Sequence, residues 1–178
     1  MAGANVVQTG SGQPAMDAVR QQLNLLVADV NYQILNCLSG NALPAVAVAT
    51  VTSQAKTVNS VNYFANGVPV TKGATDNLWT FVGVVVAVSS WNKYLLCLNA
   101  AGTASVVPGI QSTVSAAAVQ FFALPAAGVA IIAVATVATD VSHTFTPGTT
   151  LLGAAGITTT FADGVDPSTL LAAKVTLQ

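Results

Sequence analysis

The sequence predicts a mainly β fold, an antiparallel β-sandwich or barrel-like domain preceded by one N-terminal amphipathic helix. Three observations predict it. Apolar residues recur at three- and four-residue spacing before Pro44 and at two-residue spacing after it. Asn66-Gly67 stands between alternating segments, the strongest short hairpin signal. Pro108-Gly109, Pro125, Pro147-Gly148 and Asp163-Gly164 punctuate the remaining valine- and threonine-rich runs as turns.

Residues 1–13 read as a polar, glycine-containing arm ordered by a partner. Pro14 to Leu38 reads as the helix, with proline suited to its first turn and Gly40 to its end. Met16, Val19, Leu23, Leu26, Val30, Ile34 and Cys37 form its apolar stripe, opposite Asp17, Gln21, Gln22, Asn24 and Asn31. Two arrangements bury that stripe: packing on the chain's own β domain, or a short helical bundle between subunits. Residues 1–41 are therefore taken as an arm-and-helix unit and 42–178 as the β domain.

In the β domain Val46, Val48 and Thr50 alternate with Ala45, Ala47, Ala49 and Val51. Val58 to Phe64 and Val68 to Thr71 flank Asn66-Gly67, and Pro69 marks the return strand as an edge. Trp79 to Val88 reads as a long buried strand. Tyr94 to Leu98 is expected to pair with Thr103 to Val107. Val119 to Leu124, Val129 to Ala138, His143 to Phe145, Ile157 to Phe161 and Lys174 to Leu177 complete the expected strands.

Composition excludes several functions. Only 6% of residues are charged, against about 25% in an ordinary soluble domain, and none is Glu. At 53% hydrophobic the chain is too apolar for disorder. Arg20, Lys56, Lys72, Lys93 and Lys174 are too scattered to neutralise many phosphates, so no nucleic-acid partner is expected. Phe81 to Val88 and Ala126 to Ala138 are too short to span a membrane as helices, and no membrane partner is expected. The N-terminus has neither a basic start nor an apolar run, so no signal peptide is expected.

Catalytic and metal signals are weak. His143, in Asp140-Val141-Ser142-His143, reads as a surface or interface histidine, since neighbours in a strand point to opposite faces and no nucleophile elbow is present. Asp163 and Asp166 lie close in sequence but lack the other ligands of a calcium loop, and read as a solvated turn. Neither phosphate-loop glycine pattern occurs, and no cofactor, metal or enzymatic activity is expected. Cys37 and Cys97 both sit in apolar surroundings and read as buried thiols rather than as a bridge. Trp79, Trp91, Tyr63 and Tyr94 read as core or interface anchors.

The segment Tyr63 to Trp79, with Asn66-Gly67-Val68-Pro69-Val70 inside it, resembles small bacteriophage virion proteins of the capsid-decoration, head-fibre and tail-fibre kind. So do Tyr94 to Thr103, Ala123-Leu124-Pro125 and Phe145 to Leu152, and the likeness covers roughly residues 58–161. The resemblance implies a homotrimer on the outside of the virion, assembled in the host cytoplasm, with the major capsid protein as partner. A chain poor in charge fits that role, because its faces are suited to burial against neighbours. Val6 and Val7 are the expected arm anchors, and Met16, Val19, Leu23, Leu26, Val30 and Ile34 the expected interface of the helix. The rival expectation is a fibre component that binds host glycan through Trp91-Asn92-Lys93 in a turn.

Overall fold

The computed structural model describes residues 44–121 and 125–164, with Val19, Arg20, Gln21, Leu23, Asn24 and Val27. The described part is mainly β, and every strand pairing in it is antiparallel. Nine strands run in chain order: β1 Val46–Val48, β2 Gln54–Thr57, β3 Val61–Ala65, β4 Val68–Lys72, β5 Trp79–Thr80, β6 Trp91–Asn99, β7 Ala104–Pro108, β8 Val129–Thr139 and β9 Ile157–Asp163. They form three sheets, ordered β1-β2-β5, β3-β4 and β7-β6-β8-β9.

The Asn66-Gly67 hairpin forms as its sequence demands. Both turn residues have positive φ, 54° and 76°, and Ala65 pairs with Val68 across them. Alternation then puts Phe64 opposite Pro69 at a site where the strand's N–H faces outward. A proline there costs no ladder bond and leaves the outer edge one donor short, which discourages pairing with another strand.

β6 and β8 are the spine of the largest sheet. Along β6 the side chains alternate: Tyr94, Leu96 and Leu98 enter the main core, while Leu95 and Cys97 pack on the opposite face with Ile131. The register slips between Leu96 and Cys97, so that Ile132 has no partner across the pair. This bulge places the consecutive residues Ile132 and Ala133 both in the main core.

All three sheets feed that core: Val46, Ala55 and Trp79 from the first, Val61, Tyr63 and Ala65 from the hairpin, and the inward side of β6 and β8. Phe81, Tyr94 and Phe145 stack edge to face, with centroids 4.9, 6.1 and 6.2 Å apart. Three polar ties join the sheets. The Trp79 indole donates to the Cys97 carbonyl at 2.9 Å. The Tyr63 hydroxyl donates to the Asn99 carbonyl at 2.6 Å. The Asp163 carboxylate accepts from the Ala45 and Val46 amides at 3.0 Å each.

Several expectations need correction. Trp79 to Val88 is not one strand: only Trp79–Thr80 pairs, and the chain then leaves the sheet. Gly83 takes φ +125° against the Pro108 ring, which an L side chain in a strand does not allow. Val61–Ala65 replaces Val58 to Phe64, because Val58 lies exposed outside the strand with its N–H turned to the Pro44 and Ala45 carbonyls. The short strand Gln54–Thr57 was not expected, being polar in sequence, yet Ala55 and Thr57 point inward. His143 to Phe145 reduces to a single bridge between Val86 and Phe145. Val119 caps the 3-10 helix Ala116–Ala118, and Gln120 makes one bridge to Ile110; residues 122–124 lie outside the described set. The segment Lys174 to Leu177 and the boundary at 41/42 also lie outside it.

Candidate interaction surface

The loop after β5 carries the least expected feature. Phe81 and Val86 are buried, and between and beyond them Val82, Val84, Val85 and Val88 stand 48, 68, 48 and 41% exposed. The buried pair anchors the loop from below. Val86 exchanges both backbone hydrogen bonds with Phe145, at 2.9 and 3.0 Å. The Ala87 amide donates to Gln111 Oε1 at 3.0 Å, and the Ala87 carbonyl accepts from the Thr139 hydroxyl at 2.6 Å. Ser90 donates its hydroxyl to the Val88 carbonyl at 3.0 Å, and the Ser89 amide donates to the Asp140 carbonyl at 2.7 Å. The stretch Val86 to Ser90 is thereby tied to Phe145, Gln111, Thr139 and Asp140, and valine side chains have few rotamers to lose.

Two of the bonded partners, Gln111 and Asp140, stand near further exposed apolar residues in the chain. Gln111 lies between Ile110 and Val114, which are 37 and 80% exposed, and Asp140 precedes Val141, also 80% exposed. An open groove of about 280 Å³ adjoins them, lined by Ile110, Gln111, Ser112, Thr113, Val114, Ala118 and Gln120. Ser112 exchanges two backbone bonds with Trp91, and its hydroxyl accepts from the Val114 amide at 3.1 Å. No Asp, Glu, Lys, Arg or His occurs in residues 77–92 or 94–139, whereas Val141 stands between Asp140 and His143.

Three described carboxylates, Asp76, Asp140 and Asp163, accept backbone hydrogen bonds that tie loops and strands together. Asp140 closes the turn after β8: its carboxylate accepts from the Ser142 and His143 amides at 2.8 Å and meets His143 Nδ1 at 2.8 and 2.9 Å. The Ser142 amide first, then the His143 ring, hold the Asp140 carboxyl below its ordinary value. Gly156, at φ +73°, lies so close that a Cβ there would overlap both the His143 ring and the Asp140 carboxylate. His143 is exposed, and the Ser142 bond to Asp140 comes from its backbone N–H, so the three residues do not form a nucleophilic triad. Asp76 accepts from the Thr50 amide at 3.0 Å, and bonds from Thr50 lower its pKa. Asp163 is no solvated turn: it ends β9 and ties that strand to β1, because the left-handed turn at Ala45 aims two successive N–H groups at its carboxylate. Asp166 lies outside the described residues.

Burial pushes the Cys97 thiol up to about 12. Among the described residues no group of three or more His, Cys, Asp or Glu side chains comes together. Among them, too, no helix is long and apolar enough to cross a membrane. Trp91-Asn92-Lys93 forms no turn. These residues open β6, and Asn92 is fully buried with its Oδ1 bonded to the Lys93 amide at 2.9 Å. The Asn92 side chain therefore has no exposed surface to offer a ligand.

Of the expected interface residues, Val19 and Leu23 are described. Both are helical and 61 and 56% exposed, and Val27 one turn further is 50% exposed. Val6, Val7, Met16, Leu26, Val30, Ile34 and Cys37 lie outside the described residues. The valines of the loop were missed because a valine run reads as a buried strand. The available signal was Gly83, which interrupts the run, and the absence of any alternating polar partner. Comparison of the chain with family models, curated proteins and solved structures gives no match.

Proposed function

We propose that the chain is a phage capsid decoration (cement) protein. On this reading it is a homotrimer with a β-sandwich body and an N-terminal amphipathic helix, bound to the major capsid protein lattice on the head exterior. It stabilises the shell by burying apolar surface across capsomer boundaries. The observation that carries the reading is the run of exposed valines, Val82, Val84, Val85 and Val88, on the loop after β5. A repeating assembly joins such faces many times over, so each contact can be modest while the sum holds. Contacts without charge also vary little with salt, since there is little Coulomb energy to screen.

The test is co-sedimentation of the purified protein with expanded empty capsids. The full chain is expected to pellet with the shells. Removal of residues 1–40 is expected to abolish binding. Decoration by the truncated protein would sink the arm-and-helix anchor, and failure of the full chain to bind shells would sink the function. A second reading, a head-fibre or tail-fibre component that binds host glycan, draws on the amide and hydroxyl groups of Gln111, Ser112, Thr113 and Gln120 in the groove. Binding to host cells without binding to shells would select it.

A further inference from the structure

We propose that Asn66 is a covalent modification site gated by the β3–β4 hairpin. Its side-chain amide is lost through a cyclic imide with the Gly67 nitrogen, and the reaction proceeds only when β4 lifts from β3. The co-reactant is water, so the site stands apart from the decoration reading.

Asn66 is the only asparagine in the chain that precedes glycine. Gly67 has no Cβ to hinder an attack by its nitrogen or to restrict the turning of its backbone. Both residues are exposed, so water reaches them. The Gly67 nitrogen bonds to Asn66 Cγ and the Cγ–Nδ2 bond breaks. The side-chain nitrogen leaves as ammonia, taking the Gly67 proton with it, and a five-membered imide remains. Water then opens the ring at either carbonyl. Attack at Cγ gives Asp. Attack at the backbone carbonyl gives isoaspartate, whose main chain runs through Cβ. No oxidant or reductant is involved.

The closed hairpin blocks the first step. Positive φ at both Asn66 and Gly67, 54° and 76°, in a two-residue loop makes the turn type I′. That turn holds ψ of its first residue at about +30°. Asn66 Cβ and the Gly67 nitrogen then lie on nearly opposite sides of the Cα–C bond, whereas ring closure needs them eclipsed. The turn must open before the ring can form.

β4 is the strand that can lift. Val61, Tyr63 and Ala65 of β3 are fully buried in the core, whereas Val68, Pro69 and Thr71 of β4 are exposed. The hairpin is a two-stranded sheet, so β4 leaves it without drawing the β3 side chains out of the core. An outer element of this kind opens at a fraction of the global unfolding free energy. The two products then diverge. Asp-Gly suits a type I′ turn as Asn-Gly does, so the Asp form closes again. Isoaspartate adds a methylene to the main chain of a two-residue loop, and the Ala65–Val68 pair no longer fits across it. Either product adds one negative charge to a chain whose formal net charge is −1.

The test incubates the full chain at mildly alkaline pH, native and in guanidinium chloride, before digestion with trypsin. Cleavage after Lys56 and Lys72 releases residues 57–72, which carry Asn59, Asn62 and Asn66 together. Fragmentation mass spectrometry reads the exchange of NH for O at each of the three. Asn66 is expected to convert in the native protein about tenfold to a hundredfold more slowly than in denaturant, while Asn59 and Asn62 keep their amides. Thr71→Ala removes the exposed 2.7 Å bond from the Thr71 hydroxyl to Asn62 Oδ1 across the strand pair. It is expected to speed native conversion about threefold and to leave the rate in denaturant unchanged. An Asn66 amide that stays intact in the native protein for long enough to see a hundredfold slower reaction overturns the proposal. So does native conversion as fast as in denaturant, equal conversion at Asn59 or Asn62, or a native Thr71→Ala rate no higher than that of wild type.

Discussion

Asp163 joins parts of the chain that lie 118 residues apart, and its removal measures what that tie contributes. Asp163→Ala deletes two hydrogen bonds of 3.0 Å to the Ala45 and Val46 amides. A hydrogen bond to a charged acceptor contributes about 1.5–3 kcal/mol, and Asp163 is only half-buried, which discounts the pair. The expected loss is about 2–3 kcal/mol. Relaxation of Ala45, whose φ of +48° costs roughly 1 kcal/mol and is held in place by the carboxylate, offsets part of the bond loss and is included in that figure. For a chain of this size that corresponds to a fall in melting temperature of about 4–12 °C. Asp163→Asn retains one acceptor oxygen and is expected to lose about 1 kcal/mol. Urea unfolding followed by far-ultraviolet circular dichroism reads both, with the midpoint falling and the slope unchanged. A loss below about 0.5 kcal/mol for Asp163→Ala would place this carboxylate among ordinary surface groups and refute the tie between β9 and β1.

Three further outcomes follow from the same geometry. Asp76 and Asp140 are held below the ordinary value of 3.8, so the stability they contribute is present above the carboxylate range and lost as pH falls through their lowered values. Melting temperature is expected to drop on acidification below about pH 4, and Asp140→Asn to flatten that drop; an unchanged acid limb would contradict the assignment. With its thiol pushed up to about 12, Cys97 is expected to resist alkylation near pH 8 in the native Cys37→Ser protein and to react once urea is added. Rapid native labelling would show that the β6 face around Leu95 and Ile131 is open. Gly67→Ala places a Cβ at φ +76° and is expected to cost about 1–2 kcal/mol by urea midpoint, whereas no change would mean that the hairpin turn is not of the kind described.

Local chemistry and period determined much of the body. Asn66-Gly67 has one comfortable hairpin geometry, and it formed. The apolar run that became Val129–Thr139, broken only by threonine, calls for burial on both faces, and it became an inner strand of the largest sheet. The scarcity of charge, too, was present in composition and bounded the classes of function before any contact was known. The second valine run had the same composition and a different fate. Phe81 and Val86 went inside and Val82, Val84, Val85 and Val88 outside, because Gly83 at φ +125° and the bridge to Phe145 took the chain off the sheet. Asp163 looked like a turn residue for the same reason in reverse: nothing near it in sequence shows that Ala45 would arrive with two free N–H groups. Periodicity records which side of a strand is apolar. Which apolar sides find cover inside one chain depends on long-range pairing, where a single register slip or one left-handed residue redirects every side chain that follows.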